Sequence, residues 1–228
     1  MAPANTPANK IPFDIDAVLA AIASAVRPFP KAAMFELAER GYQTPFHQLV
    51  ACIISIRTRD EESLPLSIRL FDLAPTPGAL AALSIPEITA VIRASSFAER
   101  KAEQIQAIAQ RVATDHGGEL PCDEAVMRAF KGVGVKCANL TLGIACGQPK
   151  ISVDIHVHRI CNRWGYVATA TPEQTTAALE AILPRPIWIE INALLVPFGK
   201  HLCTGVRPKC STCPVLSSCR QVGVTSHQ

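Results

Sequence analysis

Aromatic residues, charged residues and long apolar runs are all scarce in this sequence of 228 residues. Aromatic residues make up 5% of the chain and charged residues 18%. With so few aromatic residues and with Ala, Leu, Ile and Val at helical spacing, the sequence favours packed helices over a sheet. No apolar run approaches the roughly 18 residues that cross a bilayer, and residues 1–9 lack a signal-peptide pattern. We therefore expect an all-α, cytoplasmic protein without a membrane partner.

The apolar content of 49% is high enough for the chain to bury one large core or two smaller ones. The formal net charge of +3 is only weak evidence for a polyanionic partner. The distribution of charge is more informative, because residues 196–228 contain Lys200, Arg207, Lys209 and Arg220 but no Asp or Glu. This segment is either a solvated basic tail or a surface that faces phosphates.

Capping residues mark several helix starts in the sequence. Thr44 precedes a proline at the first helical position, and Ser84 stands three residues before Glu87, the spacing of a capping box. Asp60 and Thr171 occupy similar positions before other helical segments. The sequence therefore predicts helices that begin at these residues.

Nine cysteines are an odd number, and in a chain without a secretion signal this favours reduced thiols or metal ligands over a disulfide framework. Five of them share no common spacing and lie in helical patterns. We expect each of the five to be a small buried apolar residue. They are Cys52, Cys122, Cys137, Cys146 and Cys161.

The other four cysteines, Cys203, Cys210, Cys213 and Cys219, lie close together near the end of the chain. Thiolates at such short spacing need a soft metal centre to offset their repulsion. Zinc sites usually join two short knuckles across a longer insert, whereas an iron–sulfur cubane accepts four thiolates from one compact loop. The spacing favours iron–sulfur over zinc, and redox-active thiols are a third alternative.

A glycine pair lies between two predicted helices, at Gly132 and Gly134 on either side of Val133, with Lys131 before it. Two glycines permit positive φ and a close approach, so this hairpin could direct backbone N–H groups at a phosphate. The pattern is also typical of a simple tight turn between helices.

Lys136 falls in the first turn of the apolar helix that follows the glycine pair. The helix dipole and desolvation both disfavour an ammonium there, which would make its amine a nucleophile. The alternative is a surface lysine that extends to water. Asp154 stands where a helix N-cap belongs, and a carboxylate could also stabilise positive charge that develops near the amine.

These motifs together resemble the endonuclease III family. Residues 130–139, Phe-Lys-Gly-Val-Gly-Val-Lys-Cys-Ala-Asn, resemble its hairpin signature L-P-G-V-G-R-K-T-A-N, and residues 153–156 resemble its V-D-T-H segment. The cysteine spacing also matches that family's cluster loop, which implies a [4Fe-4S] cluster on the four cysteines. The motifs occur in the family's order along most of the chain.

The resemblance implies a helix-hairpin-helix DNA glycosylase fold with two all-α domains. A six-helix barrel domain is expected over residues 37–148. An iron–sulfur cluster domain is expected to combine residues 13–36 with 149–228, after a disordered N-terminus at residues 1–12. The substrate would then bind in the cleft between the domains.

The resemblance also implies a bifunctional DNA glycosylase and AP lyase that removes oxidised pyrimidines. Its partner would be double-stranded DNA with a damaged base or an abasic site, bound by a monomeric, nucleoid-associated enzyme. By motif position Lys136 is the nucleophile and Asp154 the catalytic carboxylate. The alternatives are a monofunctional glycosylase for alkylated or mismatched bases and a non-catalytic iron–sulfur protein that binds DNA or senses oxidation.

The sequence departs from the family at three expected DNA contacts. Arg57 replaces the Gln that helps to fill the gap left by the flipped base. Phe97 stands in place of a Gly-Leu type wedge and is either an intercalating side chain or a core residue. Lys131 replaces a proline and adds a charge to the hairpin, while Arg207 and Lys209 are expected to contact phosphates.

Overall fold

The computed structural model describes residues 10–228, which are helical and contain no β-strand. This confirms the all-α prediction. The helices are α1 (Ile15–Val26), α2 (Ala33–Glu39), α3 (Pro45–Ser55), α4 (Asp60–Leu73), α5 (Pro77–Ala82), α6 (Ile85–Ile92), α7 (Ala98–Asp115), α8 (Glu124–Arg128), α9 (Val135–Cys146), α10 (Ile155–Trp164), α11 (Pro172–Ile182) and α12 (Glu190–His201).

Most of the predicted helix starts are confirmed. The Thr44 hydroxyl accepts the third backbone N–H of α3, and Ser84 and Glu87 form a reciprocal capping box at α6. The Thr171 side chain likewise accepts a backbone N–H at the start of α11. The prediction for Asp60 was wrong, because Asp60 is the first residue inside α4 and the N-cap is Arg59. As part of an acidic first turn, Asp60 still complements the helix dipole.

The chain divides into two compact units. We call residues 32–152 the hairpin unit, and residues 10–31 with 153–228 the cysteine unit, within the part that the structure describes. The sequence placed the corresponding boundaries at 36/37 and 148/149.

In the hairpin unit, α3 is the central helix, and eight of its eleven residues are buried. It packs against α9 on one side and α4 on another, while α7 packs against α5 and α6. Because α3 is buried on nearly all sides, its ends are the parts that can reach a surface. Arg57, just after its C-terminus, is accordingly exposed.

In the cysteine unit, α10 and α1 both pack against α12. Ile22, Trp164 and Phe198 are almost completely buried in this unit. The segment before α1 is also attached here, since the Ile11 N–H donates to the Ser217 carbonyl at 3.2 Å and Lys10 donates to the Leu216 carbonyl. The remainder of the expected disordered N-terminus, residues 1–9, lies outside the described residues.

A disulfide joins Cys122 to Cys146, with the two Cα atoms 5.9 Å apart. This corrects the expectation that both are buried apolar thiols, since Cys122 is exposed and Cys146 half-buried. The expectation is confirmed for Cys52, Cys137 and Cys161, which are buried free thiols. The bond encloses α8, the glycine hairpin and α9 in one covalent loop.

No helix within residues 10–228 combines the length and the apolar character that a membrane span requires.

The disulfide makes a testable contribution to stability. Closing a loop of this size restricts the unfolded chain, so replacing Cys122 and Cys146 together by serine should lower the free energy of unfolding by about 3 kcal/mol. Chemical denaturation of the two proteins measures the difference. Reduction should destabilise the wild type but leave the double variant unchanged, and equal unfolding midpoints before reduction would contradict the prediction.

Candidate functional site

The glycine hairpin links α8 to α9 through residues 129–134 and depends on Gly132. Gly132 has a φ of 83°, and a Cβ added there would lie 2.7 Å from the Gln104 side-chain nitrogen. That nitrogen donates a hydrogen bond to the Lys131 carbonyl at 2.7 Å. Val133 is buried and anchors the hairpin to the core. The backbone conformation therefore favours glycine at position 132, and a side chain there would also displace the end of Gln104.

Gly134 fits only one of the two purposes that the sequence suggested for the glycine pair, the close approach of a ligand. Its φ of −92° and ψ of 175° are open to any residue, so only one glycine of the pair uses positive φ. No atom lies within 4 Å of the place where its Cβ would be. Gly134 is also the N-cap of α9, and no side chain caps this helix start. The first N–H groups of α9 can therefore be approached closely by an anion.

Lys136 is the second residue of α9 and is exposed. The desolvation that the apolar helix sequence suggested is thus not present in the free protein, although the position at the helix N-terminus is as expected. Its backbone carbonyl accepts a hydrogen bond from the Ser152 hydroxyl at 3.3 Å. The hairpin therefore places an exposed lysine within one turn of the open helix start.

Asp154 is the N-cap of α10, in the cysteine unit, whereas Lys136 belongs to the hairpin unit. Its Oδ1 accepts the backbone N–H groups of His156 and Val157, each at 2.9 Å. The N-cap interpretation is therefore confirmed. Both capping bonds end on the same oxygen, so the cap does not occupy Oδ2, and the half-buried carboxylate can serve a second role.

Arg57 and Phe97 are brought together at the surface of the hairpin unit. Arg57 follows the end of α3 with a φ of 54°, and Phe97 precedes α7 with a φ of 59°. The guanidinium carbon lies 5.8 Å from the centroid of the Phe97 ring. Phe97 is 60% exposed, which excludes the core-residue alternative. Left-handed backbone costs about 1–2 kcal/mol at a residue with a Cβ, so two such residues side by side require strong support from their surroundings.

The buried Lys101 contacts the chain next to both residues and was not identified from the sequence. It is only 5% exposed, and its ammonium donates to the carbonyls of Ile54 and Ile56, both at 2.7 Å. It also contacts the hydroxyls of Ser95 at 2.6 Å and Thr58 at 3.2 Å. Burial lowers the pKa of Lys101 to about 8, an effect that these four oxygen acceptors oppose because they favour the charged form.

The sequence did contain a signal for Lys101. It occupies the same face of α7 as the buried residues Ile105, Ile108 and Val112, at helical spacing. A lysine on the apolar stripe of an amphipathic helix must find buried acceptors or disrupt the core. The periodicity of α7 could therefore have singled it out.

The four clustered cysteines line one pocket of the cysteine unit, whose empty volume is about 350 Å³ including its open mouth. None of the four forms a disulfide. The rest of the lining is largely apolar and includes Trp164 and Phe198. Among the described residues, no three Cys, His, Asp or Glu side chains converge closely enough to hold a single metal ion. The possible metal ligands in this pocket are therefore the four cysteine thiols that line it.

Burial raises the pKa of the Cys213 thiol to about 11. The negative charge of the neighbouring thiols Cys219, Cys203 and Cys210, when they are ionised, contributes to this raised pKa. A thiolate at this position therefore needs a compensating cation, which is what metal coordination supplies. The chemistry of the pocket fits a soft metal centre.

Two arginines of α10 hold the start of the cysteine loop, and the sequence did not reveal them. Arg159 donates to the carbonyls of Gly199 and Cys203 at 2.9 and 3.0 Å. Arg163 donates to the carbonyls of Thr204 and Gly205 at 2.5 and 2.6 Å. The helix that Asp154 caps therefore also fixes the backbone around the first cysteine.

Comparison with known proteins identifies the family. The family described as "HhH-GPD superfamily base excision DNA repair protein" matches residues 50–185. Endonuclease III of Thermotoga maritima is 37% identical over 175 residues, covering 77% of this chain and 82% of its own. Endonuclease III of Escherichia coli K12 is 30% identical over 181 residues, covering 79% and 86%. The chain belongs to the endonuclease III family.

The fold agrees with this assignment. A solved structure of a trapped covalent intermediate of endonuclease III with DNA matches with a TM-score of 0.73 and 30% identity, covering 78% of this chain and 84% of that one. The helix-hairpin-helix glycosylase fold expected from the motifs is thereby confirmed. This endonuclease III family member is a DNA-binding base excision repair enzyme, a DNA glycosylase with AP lyase activity.

The two hairpin glycines should respond differently to substitution. Gly132→Ala should destabilise the fold by about 1–3 kcal/mol, because a side chain at a φ of 83° is strained and the hydrogen bond from Gln104 to the Lys131 carbonyl would be displaced. Gly134→Ala should cost less than about 1 kcal/mol of stability but weaken binding to duplex DNA, since its methyl group obstructs the open start of α9. Chemical denaturation and fluorescence anisotropy measure the two effects, and identical profiles for both variants would contradict these roles.

Proposed function

We propose that this endonuclease III family enzyme excises oxidised pyrimidines from duplex DNA, with Lys136 as nucleophile and Asp154 as catalytic carboxylate. The observation that carries the proposal is the hairpin itself. It combines an uncapped helix start, open to a phosphate at Gly134, with an exposed lysine in the same helical turn. A phosphate bound there would place the sugar of a nearby nucleotide within reach of the Lys136 amine.

The reaction assigns a definite role to the amine. Neutral Lys136 attacks C1′ of the damaged nucleotide, the N-glycosidic bond breaks, and the base leaves with the bonding electrons and takes up a proton. The extra proton leaves the nitrogen, the C1′–O4′ bond breaks, and O4′ takes up a proton, which gives a Schiff base. Removal of a C2′ proton then breaks the C3′–O bond, and the 3′ phosphate leaves with the bonding electrons. The trapped covalent intermediate of the matching endonuclease III supports this course.

Asp154 serves the same reaction through its carboxylate. While Oδ1 caps α10, Oδ2 can stabilise positive charge that develops on the sugar or accept a proton from the attacking amine. The two capping bonds orient the carboxylate, so its position does not depend on substrate. An N-cap and a catalytic group are thus compatible functions of one side chain.

Binding to DNA is proposed to rest on phosphate contacts and on one pair of inserted side chains. The N–H groups at the start of α9 and the exposed side chains of Lys131, Arg207 and Lys209 would contact phosphates. Arg57 and Phe97 would enter the space left by the extruded nucleotide, since both are exposed and adjacent. The protein is expected to act as a monomer in the cytoplasm, associated with the nucleoid.

The four-thiol pocket is proposed to hold a [4Fe-4S] cluster through Cys203, Cys210, Cys213 and Cys219. Four free thiols that line one pocket match the number of thiolates that would hold such a cluster. The cluster would supply the positive charge that stabilises the buried thiolates and would fix the loop that carries Arg207 and Lys209. Its role in this proposal is structural.

The catalytic roles can be separated by substitution. Lys136→Gln should abolish both borohydride trapping of an enzyme–DNA adduct and strand cleavage, while DNA binding persists, because no amine remains to form a Schiff base. Asp154→Asn should keep the helix cap at a cost of at most about 1 kcal/mol and slow base excision by about 10²- to 10⁴-fold. Trapping and excision assays on a panel of damaged-base duplexes provide the measurements.

Two outcomes would redirect the assignment. Base excision without trapping in the wild type would indicate a monofunctional glycosylase, and neither activity on any lesion would indicate a non-catalytic iron–sulfur protein. If Asp154→Asn excises at the wild-type rate, Asp154 is an N-cap alone.

The cluster proposal predicts metal content. Protein purified without oxygen should contain about four irons per chain and be brown. Cys213→Ser should lose iron, whereas Cys161→Ala, a change at a buried free cysteine outside the pocket, should retain it. Elemental analysis and absorption spectra decide the matter, and stoichiometric zinc in place of iron would overturn the proposal.

A further inference from the structure

The end of α3 is capped by a side chain from another helix. The last carbonyls of a helix have no partner within it, and Ile54 and Ile56 expose theirs where α3 meets the start of α7. Lys101, in the first turns of α7, donates to both. A cation at a helix C-terminus also complements the negative end of its dipole. Lys101 therefore binds the two helices together at their ends.

The same ammonium is linked to the two residues with left-handed backbone. Its contact Thr58 directly follows Arg57, and the Thr58 hydroxyl accepts the Ser96 N–H at 3.2 Å. The Ser96 hydroxyl in turn donates to the Arg57 carbonyl at 2.7 Å, and Ser96 directly precedes Phe97. The chain segments around Arg57 and Phe97 are thus joined to each other and to Lys101 by one hydrogen-bonded network.

The network accounts for a conformation that neither residue would adopt unaided. Glycine is the residue that usually takes positive φ, yet both positions carry large side chains with φ values of 54° and 59°. Both side chains are exposed, and the guanidinium of Arg57 lies beside the Phe97 ring. Side chains that enter a base stack must resist the bases on either side, so their support has to be rigid.

We propose that Lys101 is a positioning residue, which holds Arg57 and Phe97 in the conformation with which they enter the DNA gap left by the extruded nucleotide. The inference rests on the gap-entry role proposed above for those two side chains. Lys101 itself touches no DNA in this scheme. It acts through the backbone of residues 54–58 and 95–97, which its hydrogen bonds fix.

The test compares two substrates. One is a lesion paired within a duplex, where a nucleotide must be extruded and the gap filled. The other is an abasic site inside a short unpaired bubble, where no base pair has to open. Lys101→Met, which keeps the length of the chain but removes the ammonium, should slow excision from the duplex by about tenfold or more. Cleavage at the bubble should stay within about twofold of the wild type.

A matched control and a double variant make the result specific. Lys150→Met removes another lysine of the hairpin unit, one paired with Glu124, and should leave both rates unchanged. Phe97→Ala should slow only the duplex reaction. Adding Lys101→Met to Phe97→Ala should then cause little further loss, because the side chain that Lys101 positions is already absent.

The outcomes separate the two proposals. If Phe97→Ala leaves the duplex rate unchanged, the gap-entry role is wrong and the inference falls with it. If Phe97→Ala is slow but Lys101→Met is not, or if Lys101→Met lowers both rates and adds fully to Phe97→Ala, only the positioning role is overturned. Should Lys101→Met fail to fold, Thr58→Val removes the hydroxyl that Lys101 contacts while keeping the side-chain shape, and the same loss on the duplex substrate alone is expected.

Discussion

The ends of helices carry backbone groups that no residue within the helix can satisfy, and three such ends organise this protein. The end of α3 is satisfied by the buried ammonium of Lys101. The start of α10 is satisfied by the Asp154 carboxylate. The start of α9 has no side-chain cap, and a ligand can approach it. A helix end that the protein closes fixes the residues around it, whereas an open end can accept a ligand.

This arrangement lets structural and functional interactions share the same side chains. The N-cap of α10 contributes about 1 kcal/mol of stability. The same two hydrogen bonds orient the Asp154 carboxylate, so no other residue is needed to hold it in place. The helix α10, which Asp154 caps, also contacts the cysteine loop. Its Arg159 and Arg163 donate hydrogen bonds to the carbonyls of Cys203 and Thr204. A change in the conformation of the cysteine loop would therefore alter the hydrogen bonds of α10.

In the hairpin unit, the base of the hairpin is held by a disulfide and by a hydrogen bond beside it. The disulfide between Cys122 and Cys146 encloses α8, the hairpin and α9, and the Gln148 side chain donates to the Cys122 carbonyl at 2.8 Å beside it. The hairpin that presents Lys136 is thus held at its base by a covalent bond and a hydrogen bond, while its tip remains open.

The helical fold, the hairpin, the four-cysteine loop and the N-cap at Asp154 could be predicted from the sequence, because each depends on residues close together along the chain. Contacts between residues far apart in the sequence depend on how the helices pack. Lys101 meets Ile54 across a separation of 47 residues, and Cys122 meets Cys146 across 24. Local spacing carries no information about which buried carbonyl will face a lysine or which two thiols will meet, since helix packing brings those groups together. For the same reason the exposure of Phe97 and of Lys136, on which their proposed roles depend, became visible only in the folded chain.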